Sequence, residues 1–222
     1  MPIQAVIFDM DGVLVDSEEY WWQSRVEFAE KIGKHWSFDD QRAAMGRNTV
    51  EWAQVMQERL QTDLPLFEII EQVRGGVIAR LEARLPVLPG AIEAVQTAAS
   101  AYRIALASGS PKLVIDKVMS LTGLDRVFEK IVYGDDMARG KPAPDVYLET
   151  ARQLGLEPSN CIGIEDSANG LRALKAAGMY VIAVPSPGFP LMDDVLALAD
   201  RVIPSLEAFS VDLVRDIEAA SA

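Results

Sequence analysis

The sequence predicts an α/β protein: a doubly wound parallel sheet, Rossmann-like in its core, with an inserted helical domain. Short apolar segments of strand length alternate with segments of helical periodicity through most of the 222 residues. Fully apolar strands are typical of a parallel sheet that helices cover on both faces. From residue 17 to about residue 86 this alternation stops, and helical patterns follow one another without a convincing strand. Because this connection is far too long for a loop, we expect it to fold as a helical insert.

Each predicted strand is a short apolar run that ends at polar or acidic residues. The first strand is predicted at Ala5–Phe8 and runs into Asp9. The other strands are predicted at residues 103–110, 130–136, 161–167 and 179–188, with a short edge strand at 201–205. Helices are predicted between them at residues 111–121, 144–154 and 167–177, with proline, serine or glycine at their boundaries. Strand–helix–strand units of this kind cross over with a right hand and build a doubly wound sheet.

The helical insert is predicted to form a cap domain of its own. Amphipathic patterns occur at residues 18–32, 49–60 and 65–85. In the second of these, Trp52, Met56 and Leu60 fall on one helical face. The sequence "LPVLPG" that follows contains two prolines and a glycine, which are typical of a linker or hinge. The predicted domains are a core of residues 1–15 and 87–222 and a cap of residues 16–86.

Composition restricts the classes of partner. The chain has 21 basic and 33 acidic residues and a net charge of −12, which argues against nucleic acid and anionic membranes as partners. A small anionic substrate stays possible because a few cations or a metal ion reverse the field locally. The single cysteine, Cys161, excludes an intramolecular disulfide. The sequence shows no signal-peptide pattern and no apolar run of membrane-spanning length, so we expect a cytoplasmic protein, and nothing demands more than a monomer.

Polar side chains collect at the predicted strand ends. In a parallel sheet, ligands bind outside the carboxyl ends of the strands. Three strand ends carry such residues: Asp9 and Asp11, Ser108 and Ser110, and Glu165 and Asp166. Four carboxylates brought together repel one another unless a cation compensates them. Oxygen ligands suit Mg²⁺, whereas cysteines and histidines with zinc spacing are absent from the sequence.

The spacing of these residues indicates a chemistry. Asp9 and Asp11 are two residues apart, so in extended backbone both face the same way, and one can act as a nucleophile while the other handles a proton. A carboxylate that attacks phosphorus forms an aspartyl-phosphate. Lys141, in "RGKPAPD", is a candidate partner for the nucleophile and the phosphate, and Ser108 is a candidate donor to a phosphoryl oxygen. Taken alone, each motif is equally typical of a surface turn, a solvated lysine or a helix N-cap; the ordered combination is specific.

That ordered combination resembles the haloacid dehalogenase superfamily. The segments "DMDGVLVDS", "ASGS", "GKPAPD" and "GIEDS" are similar to its four motifs, and the helical insert matches its four-helix cap. The resemblance implies that Asp9 is the nucleophile and Asp11 the general acid and base, and that Ser108 and Lys141 hold the phosphoryl group. The Mg²⁺ ligands it implies are Asp9, the backbone carbonyl of Asp11, Glu165 and Asp166. Asp11 argues against the dehalogenase branch, which needs neither a second acid at that position nor Mg²⁺.

Within the family, the sequence is most similar to β-phosphoglucomutase and to small sugar-phosphate phosphatases. The mutase has a histidine after the "D-[ST]-x-x-[YF]" segment, and this chain has Trp21 there. We therefore expect a phosphatase of small phosphate monoesters such as sugar phosphates, with a phosphosugar mutase as the alternative. A non-catalytic phospho-acceptor module is an alternative of another class, against which the helical insert and Asp11 argue.

Further residues are predicted to contact the substrate. In the insert they are Trp21, Trp22, Gly46 and Arg47, and in the core they are Ser108, Gly109, Ser110 and Lys141. The tryptophans are candidates for an apolar wall against a sugar face, and the arginine is a candidate ligand for a second anionic group or a sugar hydroxyl. Asn169 and Lys112 lie near the ends of motifs and are further candidates for the pocket lining.

Overall fold

A computed structural model describes residues 2–186 and 190–220 of the chain. Within these residues, one sheet of six parallel strands has the order β3-β2-β1-β4-β5-β6. The strands are β1 (Ala5–Phe8), β2 (Arg103–Ser108), β3 (Lys130–Tyr133), β4 (Cys161–Glu165), β5 (Tyr180–Ala183) and β6 (Arg201–Val202). This order confirms the predicted doubly wound sheet, and its strand order reverses between β1 and β4.

The five strands predicted after β1 all end earlier than expected. The chain leaves the sheet after Tyr133 in a 3₁₀ turn at Gly134–Asp136, so the acidic end of the predicted segment lies in that turn. The strand predicted at residues 179–188 ends at Ala183, and positions 187 and 188 lie outside the described residues. The predicted edge strand is present as β6, which pairs with β5 alone in the described sheet.

Helices cover both faces of the sheet. They are α5 (Ala91–Ala99), α6 (Lys112–Thr122), α7 (Asp145–Leu154), α8 (Ala168–Ala176), α9 (Asp193–Leu196) and α10 (Val211–Ala220), numbered after the four helices of the insert. The fully buried side chains of β1 alternate between two apolar clusters, as the pleat requires. Val6 and Phe8 pack with α5, α6 and α10, whereas Ala5 and Ile7 pack with α7 and α8. Burial on both faces explains why β1 is apolar throughout.

The insert contains four helices between β1 and α5. They are α1 (Glu18–Lys31), α2 (Phe38–Ala44), α3 (Thr49–Leu60) and α4 (Leu66–Ala83). Helix α2 escapes the periodicity analysis because its seven residues make only two turns. Its start is nevertheless marked by a capping box: the backbone N–H of Asp40 donates to Ser37 Oγ, and the backbone N–H of Ser37 donates to the Asp40 carboxylate. The division into a core and a cap domain stays a prediction.

No helix among the described residues is both long enough and apolar enough to cross a bilayer.

Candidate active site

The carboxyl ends of the central strands meet at one cavity between the sheet and the insert. Asp9 directly follows β1, Ser108 ends β2, and Asp166 directly follows β4. All three side chains are buried, and all three line the cavity. The cavity has a volume of about 40 Å³, which is enough for a few water molecules. The loop that carries Lys141 lies between β3 and α7 and brings this lysine to the same place.

Lys141 is the centre of a buried ion-pair cluster. Its Nζ lies 2.8 Å from Asp9 Oδ1 and 2.5 Å from Glu165 Oε1, and its side chain is 2% exposed. Burial alone lowers the pKa of Lys141, but the attraction of Asp9 and Glu165 outweighs this and raises the pKa well above its usual value. Lys141 therefore stays protonated and holds its charge beside Asp9.

Glu165 fixes this lysine because both of its carboxylate oxygens are engaged. Oε1 also accepts a hydrogen bond from the Tyr147 hydroxyl at 2.8 Å. Oε2 accepts from the backbone N–H groups of Asp166 and Ser167 at 3.0 and 3.1 Å, and from Ser167 Oγ at 3.1 Å. A Cβ at Gly170 would lie 1.8 Å from Oε1, so the absence of a side chain there makes room for the carboxylate. The contribution of Tyr147 is not predicted by the sequence, because Tyr147 is an uncharged residue that lies beyond the lysine motif.

The cluster has the chemistry of a divalent-cation site. Asp9, Glu165 and Asp166 each place a carboxylate oxygen within 4.8 Å of the others, and when ionised they carry two more charges than the one lysine can neutralise. Burial raises the pKa of Asp9 well above its usual range, Lys141 opposes this, and Glu165 and Asp11 add to it. Burial, followed by Glu165 and Asp9, likewise raises the pKa of Asp166. Carboxylate oxygens whose negative charge is not fully neutralised by neighbouring cations are suitable ligands for Mg²⁺.

Gly12 makes the approach of Asp166 possible. Its φ of +73° lies in the left-handed region that favours glycine, and a Cβ built there would lie 1.9 Å from Asp166 Oδ2. The turn after β1 therefore needs a glycine for two reasons, its backbone conformation and the space that the carboxylate occupies. The second reason follows from tertiary contact and is not visible in the sequence.

Asp11 is held by side chains from both the core and the insert. Ser110 Oγ donates to its Oδ2 at 2.6 Å, and Ser108 Oγ lies 3.4 Å from the same oxygen. On the insert side, its Oδ1 accepts from Ser17 Oγ and, at 3.1 Å, from Trp21 Nε1. Trp21 also lines the cavity, as the predicted apolar wall requires, but its N–H gives it a second contact that sequence reasoning did not foresee.

The neighbouring Trp22 does not reach the cavity. Successive residues of a helix point about 100° apart, so Trp22 leaves the face that Trp21 occupies. Its ring packs against Phe38 of α2, with the ring centroids 5.9 Å apart. The prediction for Trp22 is corrected, because it lies outside the cavity that Trp21 lines, whereas contact between Trp21 and the substrate stays a prediction.

The other predicted contact residues occupy different positions. Gly46, Arg47 and Gly109 line the cavity, and Arg47 Nε donates to the Ala43 carbonyl at 2.7 Å, so this part of the guanidinium caps α2. Asn169 lies in a neighbouring groove, where its amide donates to the Met45 carbonyl at 3.0 Å and joins core to insert.

Lys112 lies outside the cavity. Its Nζ is 3.6 Å from the Tyr133 ring centroid and 3.3 Å from Asp116, on the surface. Lys112 therefore does not line the cavity, and the prediction that it does is wrong.

Two charged residues of α1 line the cavity and were missed. Glu18 accepts a hydrogen bond from Gln41 at 3.3 Å, and burial, followed by repulsion from Asp11, raises its pKa to about 7. Arg25 lies against Trp21 and Trp52, and burial lowers its pKa to about 10, opposed by Glu18. A signal for both exists in the sequence, since their spacing places these two charged residues on the same face of α1 as Trp21 and Phe28.

The fold and the site together define a class of protein. A buried carboxylate beside a lysine, at the point where the strand order of a doubly wound sheet reverses, is typical of an enzyme that acts on a small anionic ligand. The sequence matches the description "haloacid dehalogenase-like hydrolase" over residues 3–178. This chain belongs to the haloacid dehalogenase-like hydrolase family.

Individual relatives cover four fifths or more of the chain. Hexitol phosphatase B of Escherichia coli K12 is 34% identical over 207 residues, which are 92% of this chain and 93% of that protein. The phosphorylated carbohydrates phosphatase of Thermotoga maritima is 32% identical over 178 residues, which are 80% and 82% of the two chains. The structure of β-phosphoglucomutase from Clostridium difficile matches with a TM-score of 0.87 over 99% of this chain and 98% of that one. At 23% identity, this last match shows a shared fold.

Proposed function

We propose that the protein is a Mg²⁺-dependent phosphatase that hydrolyses small phosphate monoesters, in particular phosphorylated sugars or polyols, through an aspartyl-phosphate on Asp9. The observation that carries the proposal is the 2.8 Å contact between Asp9 and the buried, protonated Lys141. A carboxylate and a phosphate ester repel each other, and a fixed cation beside the nucleophile offsets that repulsion. The phosphatases among the relatives support the same reaction class.

The reaction divides between Asp9 and Asp11. A carboxylate oxygen of Asp9 forms a bond to phosphorus while the bond from phosphorus to the leaving oxygen breaks, and Asp11 gives its proton to that oxygen. In the second half, Asp11 takes a proton from a water molecule whose oxygen attacks phosphorus, and the Asp9–phosphorus bond breaks. Lys141 and the hydroxyl of Ser108 hold the phosphoryl oxygens throughout. The products are the alcohol and inorganic phosphate.

Mg²⁺ would be held by Asp9, the backbone carbonyl of Asp11, and Asp166, with Glu165 as the remaining predicted ligand. When bound, the ion neutralises charge on the transferring phosphoryl group. The Glu165 oxygens already accept hydrogen bonds from Lys141 and from the backbone after β4, so its main contribution is to hold the lysine.

The helical insert acts in this proposal as a cap that opens and closes. A cavity of about 40 Å³ has no room for a sugar phosphate, so core and insert must separate to admit one. Closure then excludes bulk water from the phosphoryl group. A cytoplasmic location and a monomeric state stay predictions.

Hydrolysis is favoured over phosphosugar mutase activity. By the resemblance, the mutase has a histidine at the position that Trp21 occupies in this chain. The indole N–H of Trp21 donates a hydrogen bond to Asp11 but, unlike a histidine, cannot exchange a proton with it. The likeness to a β-phosphoglucomutase structure concerns the fold and so does not weigh against this.

Phosphate release from a panel of sugar and polyol phosphates tests the proposal. We expect many turnovers per site with Mg²⁺, loss of activity when Mg²⁺ is chelated, and loss of activity in Asp9→Asn. Full activity of Asp9→Asn would refute the assignment of the nucleophile. Incubation with β-glucose 1-phosphate and a trace of glucose 1,6-bisphosphate should yield free phosphate, whereas accumulating glucose 6-phosphate would indicate a mutase. A single phosphorylation without turnover would indicate a phospho-acceptor module.

A further inference from the structure

Unpartnered hydrogen-bond donors lie on the insert side of the cavity. Among the described residues, the buried side-chain polar atoms without a hydrogen-bond partner are Arg25 Nε, Trp52 Nε1 and Thr49 Oγ1. Arg25 and Trp52 both line the cavity that contains Asp9, and they are 4% and 2% exposed. Native proteins satisfy nearly all of their buried polar groups, so two such groups in one cavity need an explanation.

Arg25 is the stronger anomaly because it is charged. Its Nε has no hydrogen-bond partner, and within residues 2–186 and 190–220 no carboxylate lies within 4.0 Å of the guanidinium, although the attraction of Glu18 and Asp11 opposes the effect of burial on its pKa. It lies instead beside two indole rings, 5.0 Å from the centroid of Trp21 and 5.4 Å from that of Trp52. Cation–π contact compensates only part of the cost of burying an arginine, and an unpaired buried charge is strongly destabilising.

The chemistry of the two groups determines what they can bind. Guanidinium and indole N–H groups donate hydrogen bonds and cannot accept them, so a matching ligand group must be an acceptor. A carboxylate or a phosphate presents several acceptor oxygens and the opposite charge, whereas a hydroxyl presents one oxygen and no charge. The two aromatic rings that lie against the guanidinium hold it in place and so reduce the entropy that binding would cost.

Resting on the proposed phosphatase function, we propose that Arg25 and Trp52 form a subsite for a second anionic group of the substrate, at the end remote from the phosphate that is cleaved. The preferred substrate is then a phosphate monoester that also carries a carboxylate or a second phosphate. Arg25 is a specificity-determining residue in this assignment, since Asp9 and Asp11 carry out the bond changes.

Three phosphate esters of similar size test this subsite: sorbitol 6-phosphate, gluconate 6-phosphate and fructose 1,6-bisphosphate. They differ at the remote end, which is neutral, a carboxylate or a phosphate. We expect the wild-type enzyme to have a kcat/KM at least about tenfold higher for one of the two anionic esters than for the neutral one, mainly through KM. The two anionic esters distinguish a carboxylate subsite from a phosphate subsite. A neutral ester that is cleaved as well as both others would overturn the proposal.

The variant Arg25→Met keeps the aliphatic stem and removes the charge. We expect it to lose the tenfold preference because kcat/KM falls for the preferred anionic ester, and to have a Tm without substrate equal to or above that of the wild type, because a buried charge without a salt-bridge partner has been removed. Trp52→Phe, which removes one N–H, should lose part of the preference. Arg59→Met is the matched control, since Arg59 is exposed on α3 and lies 3.7 Å from Asp40.

A structural role for Arg25 predicts the opposite pattern. Arg25→Met would then lower the Tm and reduce kcat/KM by the same factor for all three esters, and this result would overturn the subsite. Failure of the proposed phosphatase function is a separate outcome: the wild type would release no phosphate from any of the three esters or from p-nitrophenyl phosphate.

Discussion

The hydrogen bond from Trp21 to Asp11 offers a sharp test of how the insert contributes to catalysis. Trp21→Phe removes the indole N–H that lies 3.1 Å from Asp11 Oδ1 and keeps an aromatic ring next to Trp52. Asp11 becomes charged as it gives up its proton, and a hydrogen bond to a charged group is worth about 1.5–3 kcal/mol. About 1.4 kcal/mol corresponds to a factor of ten in rate. If the bond holds Asp11 in its proton-donating position, the variant should lose about 10- to 100-fold in kcat.

The size of the loss should depend on the leaving group. An alkyl phosphate such as sorbitol 6-phosphate needs a proton on its leaving oxygen, whereas p-nitrophenolate leaves without one. We therefore expect kcat to fall strongly for sorbitol 6-phosphate and by less than about threefold for p-nitrophenyl phosphate. The assay is phosphate release at saturating substrate and Mg²⁺.

Trp22→Phe is the matched control, because Trp22 is the adjacent residue and packs against Phe38 away from the cavity. It should leave the kcat for both esters near the wild-type value. An equal loss for the two esters in Trp21→Phe would mean that the indole supports the site in some way other than through proton transfer. The same loss in both tryptophan variants would mean that the effect is on the packing of the insert. Either result refutes the reasoning.

Two further predictions concern Gly12 and Glu18. Gly12→Ala places a Cβ 1.9 Å from Asp166 Oδ2 at a φ of +73°. We therefore expect the variant, if circular dichroism shows that it is folded, to need a higher Mg²⁺ concentration for half-maximal activity. An unchanged Mg²⁺ requirement would contradict this role of the glycine. Burial raises the pKa of Glu18 from 4.5 to about 7, so the folded protein binds an extra proton between these values and its stability falls as the pH rises through them. We expect the free energy of unfolding of Glu18→Gln, measured in urea with a chelator present, to rise by about 3 kcal/mol relative to that of the wild type as the pH goes from about 4 to about 8. A difference between the two proteins that does not depend on pH would contradict a titrating Glu18.

The interior of the core could be predicted from the sequence because its signals are local. An apolar run bounded by acidic residues identifies β1 and β4, and glycine after Leu154 marks the end of α7. Parallel strands then bring their carboxyl ends to one edge, so Asp9 and Asp166 had to meet once the sheet was doubly wound. What failed was short or ambiguous: α2 has too few residues for a periodic pattern, and β3 ends in a turn before its acidic residues.

The sequence by itself determined the fold class and the kind of chemistry, because strand periodicity and the order of the acidic, hydroxyl and lysine motifs lie within short segments. Only the tertiary structure decided which side chains of the insert face that chemistry. Trp21 and Trp22 are adjacent and equally aromatic, yet one donates to Asp11 and the other packs against Phe38. Residue type alone does not distinguish Arg25 from the other arginines, but the packing of α1 against α3 buries it beside two indole rings, and its Nε has no hydrogen-bond partner among the described residues. Such orientation depends on how helices pack against one another, and that packing joins residues far apart in the chain.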